Sequence, residues 1–264
     1  GTDNGILIYN YRTDRYEQPA TDFPTDVRTM ALQGDTLWIG ALNGLYTYQL
    51  QNRKLSPLDT KRNGLPHNTI YSIIRTGDNQ IYVGTYNGLC RYIASNGKFE
   101  KIPLPVNSSQ SNLFVNSLLE DTGRQCIWIG TEGYLFQYFP STGQMKQTEA
   151  FHNNSIKSLA LDGNGDLLAG TDNGLYVYHN DVTPLQHIIH DSRNIQSLTN
   201  NIIWNIFADQ EHNIWLGTDY GISLSRYNSA LQFIPISQIT GTGDGNQFYS
   251  LFRDSKGFYW FGGT

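Results

Sequence analysis

Ile81-Tyr82-Val83-Gly84-Thr85-Tyr86-Asn87-Gly88-Leu89-Cys90-Arg91-Tyr92 decides the fold, because the same pattern keeps returning along the chain. An apolar triplet closes on Gly, usually followed by Thr, two or three residues, a second Gly, and an apolar or aromatic run. It reads LWIGALNGLYTY from Leu37, IWIGTEGYLFQY from Ile127, LLAGTDNGLYVY from Leu167 and IWLGTDYGISLSRY from Ile214. The opening GTDNGILIY and the closing YWFGGT are two halves of the same unit. The anchoring glycines Gly1, Gly40, Gly84, Gly130, Gly170, Gly217 and Gly262 stand 39, 44, 46, 40, 47 and 45 residues apart. That period belongs to a propeller blade and far exceeds one rung of a solenoid.

Working outward from the quoted stretch, four short strands fit each period. In the second full repeat, strand A runs from Thr69 to Arg75 and is followed by a turn at Thr76-Gly77-Asp78-Asn79. Strand B is Gln80 to Thr85, strand C Leu89 to Ala94, and strand D Lys98 to Leu104, after a Ser95-Asn96-Gly97 turn. Equivalent A–B turns at Asp162-Gly163-Asn164-Gly165, Asp209 to Asn213 and Asp254 to Gly257 carry the Asp, Asn and Gly that tight hairpins need. No segment sustains a 3.6-residue apolar period, so helices should be scarce. The expectation is an all-β chain, a β-propeller of four-stranded antiparallel blades with six repeats, forming a single domain over residues 1–264. Gly1 to about Ala20 supplies strands C and D, and Gln247 to Thr264 supplies A and B, so the two ends would complete one shared blade. The alternative is part of a seven-bladed ring. Because the chain opens and stops inside the motif, it reads as a piece of a longer protein.

Composition agrees. Among 264 residues, 13% are aromatic, 17 of them Tyr, against 16% charged, which suits half-buried pleated surfaces. The net charge of −5, with basic residues scattered, argues against a nucleic-acid partner. Cys90 and Cys126, lone cysteines in strands, read as small buried hydrophobes.

At these motifs the chain resembles the two-component regulator propeller repeat, approximately N-x-V-x-x-I-x-x-D-x-x-G-x-L-W-I-G-T-x-x-G-L-x-x-Y. Asn201 to Phe207 with Asp209, then Ile214-Trp215-Leu216-Gly217-Thr218 and Gly221, match closely, as do Asn68 to Ile74 with Ile81 to Leu89. The third repeat departs by placing Gly133 one position early, and the fourth by Ala169 in place of a bulky residue. The resemblance implies the extracytoplasmic, periplasmic part of a hybrid two-component sensor histidine kinase of gut Bacteroidetes that responds to glycans. It also implies an adjacent propeller or linker domain and a homodimeric full-length sensor. Family propellers are typically seven-bladed.

Strand A, expected nearest the axis, separates structural positions from variable ones. Val27, Ile70, Val115, Ile156, Ile203 and Phe248 form an apolar column. Two places on, Thr29, Ser72, Ser117, Ser158, Asn205 and Ser250 are all small and polar. Between them lie Arg28, Tyr71, Asn116, Lys157, Trp204 and Tyr249, a set that identical blades would not require. Two cations, three aromatics and an amide suit an oligosaccharide or other small polar ligand at an axial mouth. The B–C turns add Tyr86, Glu132, Asp172, Asp219 and Tyr220 as secondary candidates on the same face; the plainer reading is that they are ordinary turn residues.

Catalytic signatures do not stand out. His187 and His190 are three apart on a strand, hence on opposite faces and unsuited to a shared metal. Asp162 to Asp166 lacks the distal Glu of a calcium loop. There is no nucleophile elbow or phosphate-cradling loop. No cofactor, metal or catalytic residue is assigned, and this domain reads as a binding module rather than an enzyme. The alternatives are a propeller lyase or glycosidase acting at the axial face, whose carboxylates pair in space rather than in sequence, and a purely structural scaffold.

Overall fold

In the computed structural model, residues 1–17, 23–105, 113–148, 154–179, 186–227, 234–235 and 247–263 are described; Ala20 and Thr264 fall outside them. The chain divides into two compact units, Gly1–Glu120 and Asp121–Thr264.

The first unit opens with a two-stranded pair, β1 (Ile8–Asn10) and β2 (Arg15–Glu17). Two four-stranded meanders follow: β3 (Val27–Gln33), β4 (Thr36–Ala41), β5 (Gly44–Gln49) and β6 (Lys54–Leu58), then β7 (Ile70–Arg75), β8 (Ile81–Thr85), β9 (Gly88–Ile93) and β10 (Lys98–Ile102). A four-residue helix, α1 (Thr60–Asn63), joins them, capped by the Asp59 carboxylate, which accepts from the Lys61 and Arg62 amides. Strand β11 (Val115–Asp121) starts the third repeat. The second unit continues with β12 (Cys126–Thr131), β13 (Leu135–Phe139) and β14 (Gln144–Gln147). Next come β15 (Ile156–Leu161), β16 (Leu167–Thr171), β17 (Gly174–Tyr178) and β18 (Gln186–Ile188). After them lie β19 (Ile203–Ala208), β20 (Ile214–Thr218), β21 (Gly221–Ser225) and β22 (Ile234–Pro235), and a closing pair, β23 (Phe248–Arg253) and β24 (Tyr259–Gly263). The fold is all-β and of the β-propeller class, with strand bounds in the second full repeat within two residues of those read from alternation. Among the described residues no helix is long and apolar enough to cross a membrane.

Each repeat residue has a physical task. A Cβ on Gly40 would sit 2.5 Å from Ile70 Cγ2, and one on Gly84 would sit 2.5 Å from the Val115 carbonyl oxygen. Gly170 meets Ile203 at 2.7 Å and Gly217 meets the Phe248 carbonyl at 2.6 Å in the same way. The anchoring glycine on strand B is therefore where strand A of the next blade comes closest. The small polar column of strand A tightens the same seam: Ser72 Oγ donates to the Val115 carbonyl, while Thr29 Oγ1 and Ser158 Oγ accept from the Ile73 and Ile206 amides. Apolar side chains fill the space behind. Trp38 and Leu45 of one blade join Ile70, Ile73, Val83 and Phe99 of the next, and Leu168, Leu175 and Val177 join Ile203, Ile206 and Leu216. The motif Thr closes the B–C turn: Thr85, Thr171 and Thr218, all fully buried, donate to the carbonyls of Gly88, Gly174 and Gly221.

At the other end of the blades, the Asp that ends strand A accepts from its own A–B turn and from the Trp of strand B. Trp128, Trp215 and Trp260 donate their indole N–H to Asp121, Asp209 and Asp254 at 3.0, 2.9 and 2.8 Å. In the first full repeat Gln33 takes this role for Trp38. Burial works against ionising Asp121 and Asp209. The Trp128 indole with Arg124, and the Trp215 indole with Asn213 and Tyr259, outweigh it and hold both carboxyls below their ordinary value. Asp209 in turn pushes the Tyr259 hydroxyl, already raised by burial, up to about 12. Because the folded carboxyls hold their protons less tightly than unfolded ones, their stabilisation is complete above roughly pH 4 and drains away as pH falls below it. Denaturation by urea at pH 6, 4 and 3 should therefore show stability flat across the first step and falling across the second. A flat profile to pH 3 contradicts this account.

Cys90 is a free thiol, and both Cys90 and Cys126 are buried. Burial pushes the Cys90 thiol well up, consistent with an inert packing residue.

Candidate functional site

The pairing of strands A and B places the variable column. On β7, Ile70 faces Thr85 and Ser72 faces Gly84, so one extra residue, Tyr71, stands outside the ladder. The same interruption falls between Val27 and Thr29, Ile156 and Ser158, Ile203 and Asn205, and Phe248 and Ser250. Arg28, Tyr71, Lys157, Trp204 and Tyr249 are thus bulge residues. A bulge frees a side chain from the alternation of its strand and re-aims it, a device common beside binding sites. Backbone bonds fix the B–C turns at this same end of each blade: Tyr86 and Asp219 donate their amides to the carbonyls of Thr69 and Ile202, just before strand A.

In the second unit these positions converge across three blades. The Lys157 ammonium lies 4.4 Å from the centroid of a Trp204 ring, and Trp204 meets Tyr249 edge-on at 5.2 Å. The Trp204 indole N–H donates to Asp219 Oδ1 at 3.1 Å, bringing a secondary candidate into the cluster. Lys157, Trp204 and Asp219 are half-buried and Tyr249 is exposed. No described carboxylate pairs with Lys157, whereas Arg91, Arg124, Arg193 and Arg253 each have one. The cluster thus offers an aromatic face, a cation held by that face at roughly 0.5–1 kcal/mol, and a carboxylate oxygen for hydroxyls.

In the first unit Tyr71 lies 6.0 Å from Phe114, and Tyr86 is closer to it at 4.3 Å, with His67 4.9 Å from Tyr86. Arg28 is exposed and Asn116 half-buried on β11. The remaining turn residues are more dispersed. Asp172 accepts from the Ser155 amide, Glu132 bridges Ser155 through its backbone, and Tyr220 is exposed. His67 and Phe114 lie in connections of irregular length, where the repeat gives no register; their aromatic character beside strand A was the only signal.

Elsewhere, His187 and His190 engage different carbonyls, those of Asn173 and Leu198. Among the described residues no three His, Cys, Asp or Glu side chains gather as a metal site.

Comparison with known proteins adds three findings. A family model described as two component regulator propeller matches residues 64–87 and 197–220. The chain is 28% identical over 297 residues to histidine kinase P4 of Formosa agariphila, across 100% of this chain and 20% of that protein. It is 92% identical to the extracellular domain of a B. thetaiotaomicron protein, described in one crystal structure as a one-component and in another as a hybrid two-component system. The TM-score is 0.84, over 99% of this chain and 35% of that one. Virginiamycin B lyase from Staphylococcus aureus shares the fold alone, with 14% identity and a TM-score of 0.73 over 99% of this chain and 85% of the lyase. The chain spans about a third of the solved extracellular domain and about a fifth of the curated kinase it matches.

Proposed function

Starting from a chain that carries two-component regulator propeller repeats, we propose that it is part of the extracytoplasmic, periplasmic sensory region of a hybrid two-component histidine kinase. In this reading the six repeats act as one sensory domain that captures a glycan and passes the event to a cytoplasmic kinase. Capture biases the domain against a neighbouring propeller or linker domain and a second copy of the chain. The likeness to the B. thetaiotaomicron extracellular domain supports the sensory assignment. The observation that carries the ligand class is the Lys157–Trp204–Tyr249 cluster with Asp219. Pyranose rings pair a C–H face with a fringe of hydroxyls. Aromatic faces take the first, and the Lys157 ammonium and the Asp219 carboxylate, each held by Trp204, take the second.

Calorimetric titration with an oligosaccharide panel tests the proposal. Trp204→Ala removes the platform and the indole donor, and is expected to weaken the bound glycan about 100-fold, a loss near 2.7 kcal/mol. Lys157→Ala should cost less. Wild-type affinity in both variants would reject this site, and cleavage products in the titrated mixture would replace the sensory reading with a catalytic one.

A further inference from the structure

We propose that His67, Tyr86 and Phe114, with Tyr71 beside them, form a second sugar subsite in the first unit, one that takes a neutral hexose ring. The inference deepens the glycan reading and rests on it.

Four aromatic rings reach this place from separate segments. Tyr71 comes from the bulge of β7 and Tyr86 from the β8–β9 turn. His67 and Phe114 come from the connections before β7 and β11. The turn is clamped between those connections. Tyr86 donates its amide to the Thr69 carbonyl at 3.0 Å and Gly88 donates to the Leu113 carbonyl at 3.0 Å. Leu65 and Leu113, both buried, pin the same two connections into the core. The rings are therefore held by backbone geometry, as a recognition surface needs, and yet all four stay half-exposed. A cluster serving only to pack would be expected to bury its rings, as Trp128 and Phe136 are buried here.

His67 supplies the polar half of the argument. Its Nδ1 accepts from the Thr69 amide at 3.0 Å, so the neutral ring carries its proton on Nε2. Nε2–H makes no hydrogen bond among the described residues, which leaves one oriented donor next to the Tyr86 and Phe114 rings. A ring face with a single adjacent N–H matches the C–H face and a hydroxyl of an uncharged sugar. None of the four side chains is a carboxylate or carries the cation of Lys or Arg, unlike the Lys157–Asp219 cluster of the second unit. The two clusters thus differ in the chemistry they offer.

The test uses the whole chain, titrated with neutral gluco-, manno- and galacto-hexaoses and with uronate oligosaccharides, in wild type and in Tyr86→Leu, Phe114→Leu, His67→Asn and Trp204→Leu. Leu keeps apolar volume but loses the ring face, and Asn keeps an acceptor for the Thr69 amide. Tyr86→Leu and Phe114→Leu should each bind the preferred neutral hexaose about tenfold more weakly, with melting temperatures near wild type. His67→Asn should also bind more weakly. If Trp204→Leu loses affinity while the three first-unit variants keep it, the second subsite is wrong and the glycan reading stands. If the wild type binds no oligosaccharide, both fall. Binding confined to uronates overturns the neutral assignment. Should a first-unit variant fail to fold, nitrogen-15 spectra of wild-type imidazoles give an independent readout. One histidine Nε2 signal must shift on adding the neutral hexaose, and no shift in any of the six refutes the subsite.

Discussion

Gly84→Val is expected to lower the melting midpoint by about 10 °C, from a loss near 3 kcal/mol at the upper end of overpacking costs. A Cβ at this position would lie 2.2 Å from Ser72 Oγ, 2.5 Å from the Val115 carbonyl oxygen and 2.7 Å from Val115 Cγ1. The hydroxyl can rotate away, but only by giving up its bond to that same carbonyl. The carbonyl cannot move without shifting β11. Gly77→Ala is the matched control, since its Cβ would make ordinary contact 3.7 Å from the Glu120 carboxylate. Calorimetric melting of both variants decides the matter. Equal midpoints would mean that adjacent blades do not touch at the motif glycine.

The second large effect concerns the carboxylate beneath the strand-B tryptophans. Asp209→Ala should cost about 3 kcal/mol, because it strands several donors for which the described residues offer no other acceptor. Asp209 Oδ1 takes the Glu211 and Asn213 amides, and Oδ2 takes the Asn213 side chain, the Trp215 indole and the Tyr259 hydroxyl from the next blade. Among the described residues, the equivalent Asp162 side chain accepts only the Asn164 and Asp166 amides through Oδ1, since Leu168 stands where Trp215 does in the next repeat. Asp162→Ala should therefore cost nearer 1 kcal/mol, the ordinary value of a turn bond. Urea unfolding at pH 7 measures both. Equal losses would show that the indole and phenol contacts add nothing to the turn.

This contrast shows how far the fold could be read from residues. The repeat located the strands because period-two alternation and turn residues act locally, and the motif letters are the same in each blade. What those letters do was not legible. The anchoring Gly could have been a turn glycine. It is a contact glycine, and the atoms that demand it lie on a strand about 30 residues later. The Asp and Trp of the motif stand six or seven residues apart, and only the hairpin brings them together. The bulge column was visible as a set of dissimilar side chains between two uniform columns, although alternation alone does not say that a bulge separates them. The clustering of Lys157, Trp204 and Tyr249 depends on the approach of successive blades, which no single repeat encodes. His67 and Phe114 sit in connections without register, so nothing in the pattern pointed to them.

The bulge has an evolutionary corollary. A residue outside the ladder and outside the core can be exchanged without repacking its neighbours, so each repeat carries one address that mutation can rewrite at little thermodynamic penalty. Duplication of such a repeat multiplies those addresses while the scaffold stays constant. Paralogues could then diverge in what they recognise through a few substitutions at the places occupied here by Arg28, Tyr71, Lys157, Trp204 and Tyr249. Selection on specificity and selection on foldability would act on separate columns of the same strand.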